Sequence, residues 1–225
     1  MIIPIIVFVV VLGGALAFIG YKQGWFTKAA PVQPVGSVIS LAPNYWTIGP
    51  IINGTSDSPN MPMNPTAEGA GWLFSFPIGV DGVHYVTTGW TGSLVGKTIT
   101  MTFSISGGPD FVGLNSGQPD PNGVPSVRLY FQQAGDNWDT DGFRWWSINP
   151  NSVALAPGSF TISVPVSPDL WSGIFGEKGT DKPALWNAAV ANVANVGFTF
   201  GSEFFGHGVY AKEPAQFHLT GFTIQ

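Results

Sequence analysis

Between residues 97 and 106 the chain alternates without a break, with Ile99, Met101, Phe103 and Ile105 on odd positions and Thr98, Thr100, Thr102 and Ser104 on even ones. A period of two places the apolar side chains on one face of an extended strand and the hydroxyls on the other. Such a strand belongs to an antiparallel sheet packed on one side and wet on the other. The same pattern recurs. Trp72, Phe74 and Phe76 alternate over 71–77, and 83–88 forms another run. Val127, Leu129 and Phe131 alternate with Arg128, Tyr130 and Gln132, and 143–148 continues after a turn. Phe160, Ile162, Val164 and Val166 alternate with hydroxyls, and 196–200 and 217–224 close the chain. Residues 37–41 and 45–48 are candidate first strands. Glycine (30) and proline (19) are abundant, and the turn-rich stretches 49–69, 109–125 and 135–142 read as loops. Residues 183–193 are Ala-rich and read as one short helix, with Asp181 as its N-cap. Roughly eight to ten short strands with frequent turns and one helix define an all-β fold. The expected architecture is an antiparallel β-sandwich of the jelly-roll kind, in which the first and last strands pair.

Residues 2–21 are a different material, apolar throughout and uncharged up to Lys22. At ~1.5 Å per residue, about 20 such residues span the ~30 Å hydrocarbon core of a bilayer. Pro4 falls in the first turn, where its missing N–H costs little. Tyr21, Trp25 and Phe26 follow at the level of an aromatic belt, with Lys22 and Lys28 at the headgroups. The reading is three-part: a transmembrane anchor at 1–26, a stiff linker at 27–36 carrying Pro31 and Pro34, and the sandwich at 37–225. The competing reading is a cleaved secretory signal, for which Ala15-Leu16-Ala17 has the small-x-small form. The absence of a basic residue ahead of the apolar run favours the anchor. The expected location is a single-pass membrane protein of a cell envelope or a virion membrane, with the side of the membrane open.

The head carries no basic run. Setting aside Lys22 and Lys28 leaves six basic against thirteen acidic residues, a net charge of −7. Nucleic acid as a partner is excluded on that ground, because phosphate contacts need clustered Lys and Arg. With no cysteine there is no disulfide, thiolate metal site or Cys nucleophile. No Gly-x-Ser-x-Gly, P-loop or dinucleotide fingerprint occurs, and Glu68, Glu177, Glu203 and Glu213 offer no motif that pairs two carboxylates. The expectation is a protein that is not an enzyme and needs no cofactor.

The densest candidate site is Asp136, Asn137, Trp138, Arg144, Trp145 and Trp146, and His207, in a Gly-flanked loop, is a further ligand-binding candidate. Aromatic faces stack on the apolar faces of sugar rings, while carboxylates, amides and Arg bond the hydroxyls. Trp145 and Trp146 are neighbours in a strand and face opposite sides, so at least one belongs to the core. Asp139 and Asp141, followed by Gly142, have the alternating oxygens of half a calcium loop, although position 150, where a closing Glu is needed, is Pro150. Calcium is therefore carried as a candidate at Asp139 and Asp141, against the plainer reading of an acidic turn.

Several stretches together resemble one known type of domain: 130–138, Arg144-Trp145-Trp146-Ser147, 160–165 with 171–176, and 191–200 with 205–209. The resemblance is to the galactose-binding-like, carbohydrate-binding-module type of jelly-roll domain of bacterial surface proteins, and it covers roughly the last two-thirds of the chain. It implies a sandwich first and sugar binding second. The functional expectation is a membrane-anchored, non-enzymatic β-sandwich module that binds a glycan or similar surface ligand. The alternative is a structural or spike component of a larger assembly, such as a membrane-containing bacteriophage virion, with homo-oligomer or assembly partners.

Overall fold

The computed structural model describes residues 38–52, 55–79, 81–115, 117–202 and 207–225. The apolar stretch 2–21 and the linker lie outside the described residues. Among those described, no helix is long and apolar enough to cross a membrane.

Two antiparallel sheets face each other. The first runs in the order Trp46–Gly49, Tyr85–Gly92, Val193–Ser202, Pro125–Gln133, Arg144–Ser147, Trp171–Ser172, with Val153–Ala154 also paired to Pro125–Gln133. The second runs Gly158–Pro165, Thr98–Gly107, Ala215–Ile224, Gly71–Ser75, Thr66–Glu68. Eight of these strands nest as pairs. Gly71–Ser75 pairs with the last strand, and Tyr85–Gly92 with Val193–Ser202. Thr98–Gly107 pairs with Gly158–Pro165, and Pro125–Gln133 with Arg144–Ser147. First with last, inward to the middle hairpin, is the pairing of a jelly roll, so the expected sandwich is present.

The alternating pattern explains the core. Ile99, Met101, Phe103 and Ile105 all point inward and are buried. Rings from both sheets meet across the interface: Trp46 lies edge-on to Trp72 at 5.3 Å, Trp72 stacks on Phe198 at 6.2 Å, and Phe198 on Phe217 at 5.1 Å. Each such side chain removed from water contributes about 1.5–3 kcal/mol. At one end, the helix Pro183–Ala191 lays Trp186 edge-on to Trp145 at 5.2 Å and to Phe131 at 5.7 Å, which extends the core beneath it.

Four expectations need correction. Of the expected strand at 37–41, the described residues 38–41 do not form one: Val38 makes one bridge to Thr223, and Ile39 N–H donates to Phe222 O at 3.0 Å. These two residues follow the last strand beyond its bulge at Leu219/Gly221, past the point where Gly71–Ser75 pairs with it. The loop at 109–125 contains two short strands, Phe111–Asn115 and Gln118–Pro119, which join Val209–Ala211 in a small third sheet. The loop at 49–69 contains a small hairpin and the edge strand Thr66–Glu68. Asp181 does not cap the helix; Lys182 holds that position with Pro183 following it, and the Asp181 carboxylate accepts instead from Lys178 N–H at 2.8 Å.

Candidate functional site

The outward side of the first sheet is the unusual surface. Pro125–Gln133 alternates in sequence, yet its outward residues Arg128, Tyr130 and Gln132 are as buried as its inward ones. Tyr130 sits in register with Trp146 on one side and Gly197 on the other, and Gly197 in turn with Thr87. Gly197 is needed here: a Cβ would meet Val86 O at 2.1 Å and the Tyr130 ring at 3.1 Å. With no side chain in the way, the Tyr130 ring crosses that strand and its hydroxyl bonds Thr87 Oγ1. Tyr85, Tyr130 and Trp146 form a second apolar cluster, separate from the main core, against which Trp138 and Ile174 pack. Burial pushes the pKa of Tyr85 and of Tyr130 upward, so both hydroxyls stay neutral hydrogen-bonding groups.

Trp138 is clamped over this cluster. Its backbone is left-handed, with φ 72°, a conformation that costs a bulky residue about 1–3 kcal/mol and persists only when its surroundings fix it. Asp136 Oδ1 accepts from Trp138 N–H at 3.0 Å, and the Trp138 carbonyl accepts from Arg144 Nη2. The guanidinium lies 4.9 Å from the indole centroid, and the Tyr85 ring stands edge-on at 5.3 Å. Arg144 and Asp136 also form a buried ion pair, Nε to Oδ2 at 2.9 Å, off the line of a hydrogen bond. Gln132 completes the network, donating to Asp136 Oδ2 at 2.6 Å and accepting from Asn195 at 2.9 Å.

The structure thus brings together Asp136, Trp138, Arg144 and Trp146. Asp136 and Arg144 are consumed in holding Trp138, with side chains only 1% and 7% exposed. Trp146 is buried beneath as a floor. Asn137 is exposed, its Oδ1 accepting from Asp139 N–H and Thr140 Oγ1, so its amide N–H₂ points away from that turn's bonds. Trp145 does not belong to this surface. It faces the main core, fully buried, with Nε1 donating to Gly142 O at 2.8 Å. His207 is half-buried, and that burial holds its pKa below the ordinary histidine range; Asp57 pairs with His84 at 3.0 Å.

The two calcium candidates have these surroundings. Asp139 is exposed, and Asp141 faces Lys182 Nζ at 3.6 Å, which competes directly with a cation there. Among the described residues no group of three His, Asp or Glu side chains gathers to hold a metal. A residue outside the sequence-derived site is Phe175. It follows Ile174 in a turn braced by Gly173 N–H to Glu177 O at 2.8 Å, and it is 80% exposed. Its signal was the Trp171-to-Gly176 stretch itself, Phe-Gly after a buried Trp.

No protein-family model and no curated protein matches this chain. Among solved structures it is similar to the xylan-binding module CBM15, at 13% identity and a TM-score of 0.38, over 82% of this chain and 98% of that one. A superposition at that level carries no argument about ligand or site; the sandwich rests on the strand order and registers above.

Proposed function

We propose that this chain is a membrane-tethered β-sandwich module that binds a glycan, without turning it over, on the outward face of its first sheet, with Trp138 as the stacking ring. One observation carries the reading. Of the eight tryptophans among the described residues, seven are buried and Trp138 alone is partly exposed. That one is also the one held in a strained backbone by a buried ion pair. Ordered aromatic surface bought at a strain cost fits recognition of a ring face better than packing. Phe175, exposed on the other loop over the same cluster, supplies a second ring, and Asn137, Asp139 and Thr140 supply polar groups at the rim. Residues 2–21 supply the tether.

The test is retention on a broad glycan array by the full chain extracted from membranes. Wild type is expected to bind at least one glycan class, with Trp138→Ala reducing affinity by at least tenfold and Phe175→Ala by less. No retention across the array, or retention unchanged in Trp138→Ala, overturns the site. Release of the chain from membranes by high salt without detergent overturns the tether.

A further inference from the structure

The outward face of the second sheet carries an arrangement that plays no part in the glycan reading. Ser106, His218 and Glu68 come from three different strands, Thr98–Gly107, Ala215–Ile224 and Thr66–Glu68. His218 Nε2 lies 3.1 Å from Ser106 Oγ, and its Nδ1 meets Glu68 Oε2. A carboxylate only accepts, so the neutral imidazole carries its proton on Nδ1 and leaves Nε2 to accept from the serine hydroxyl. That is the order of a nucleophile, a base and the group that orients the base. Beside Ser106 opens a cleft of about 370 Å³ whose apolar wall includes Phe76, Ile78 and Pro214. Gln216, directly opposite Ser106 in register, lines the same cleft. Its amide carries the N–H donors that an oxyanion in the cleft needs.

We propose that Ser106 is an activated nucleophile for acyl transfer from small carboxylic esters with an apolar acyl group. Ser106 Oγ attacks the ester carbonyl and forms a new C–O bond, and its proton passes to His218 Nε2. The tetrahedral adduct collapses, the bond to the leaving alkoxide breaks, and that oxygen takes the proton back from His218. Water then attacks the acyl-serine with His218 again as base, releasing the carboxylic acid and restoring Ser106. Glu68 holds the ring and stabilises its charge. The side chains of His218 and Glu68 are 18% and 50% exposed, so water screens the relay and the activity is expected on activated esters first.

The experiment is labelling of the full chain with a fluorophosphonate probe, followed by peptide mapping, alongside turnover of p-nitrophenyl acetate. A single label on Ser106 is expected, with turnover lost in Ser106→Ala. His218→Asn is expected to slow labelling about 100-fold. Glu68→Gln, which keeps the shape of the side chain on an exposed edge strand, is expected to slow it about tenfold and decides the matter if His218→Asn does not fold. No label, a label on another residue, or labelling at the wild-type rate in a folded His218→Asn or Glu68→Gln variant overturns the proposal.

Discussion

The two outward faces of the sandwich begin from the same alternating sequence pattern and end in opposite states. On Thr98–Gly107 the outward residues Thr102 and Ser106 are exposed, and hydroxyls of this face bond neighbours, Thr100 to Ser163 at 2.8 Å and Ser106 to His218 at 3.1 Å. On Pro125–Gln133 the outward Arg128, Tyr130 and Gln132 are 3%, 0% and 4% exposed. The difference lies in what covers them. Trp138 and Ile174, on two separate loops, pack over Tyr130, Tyr85 and Trp146 of the first sheet. A covered face cannot leave its polar groups to water, so they need internal partners: Gln132 has Asp136 and Asn195, and the Tyr130 hydroxyl has Thr87. An uncovered face has no such constraint and is free to carry exposed, reactive groups. Polarity on alternate positions therefore marks a face that is not the main core, without marking it as wet.

Breaking the covered face should cost most. Arg144→Ala leaves the Asp136 carboxylate buried and unpaired and removes the clamp on Trp138; a loss of about 3–5 kcal/mol is expected from urea unfolding, and a loss under about 1 kcal/mol would mean the face is wetter than its burial implies. A smaller effect is expected at His207. Burial holds His207 below its ordinary range, with Asp57 acting the other way. The unfolded chain then binds a proton first as pH falls, so stability is flat above the ordinary histidine range and declines on acidification through it. His207→Gln should flatten that segment of the pH–stability curve; an unchanged slope in the variant would assign the decline elsewhere. The smallest effect belongs to the open face. Thr100→Val, which removes the hydroxyl contact to Ser163, should change stability by no more than about 0.5 kcal/mol. A larger loss there would show that the second face is also a network, and the contrast between the faces would fail.

Much of the fold was legible because it rests on a local period. Each inward set, such as Ile99-Met101-Phe103-Ile105, is an unbroken alternation, and a one-residue slip would expose all of it, so strand and register are strongly specified. The small strands were not legible. Phe111–Asn115 reads Phe-Val-Gly-Leu-Asn, too short and mixed to separate from a loop, and it is a strand through its pairing with Val209–Ala211. Asp181 looked like an N-cap, but a turn bond to Lys178 N–H claims its carboxylate. In the site, adjacency brought Asp136, Trp138, Arg144 and Trp146 to notice because they crowd one hairpin. The same adjacency drew in Trp145, whose strand position turns it into the core.

By itself, then, the sequence determined the class: an alternating, cysteine-free, acidic chain that must build antiparallel sheets around a large aromatic core, with an apolar segment ahead of it. Period and composition are properties of neighbouring residues, and they act before any distant contact forms. Only the tertiary structure decided which tryptophan stays partly outside, that a lysine faces Asp141, and that Ser106, His218 and Glu68 meet. Those depend on residues as far as 150 positions apart in the chain being brought to one surface by strand order, and no local pattern encodes that separation.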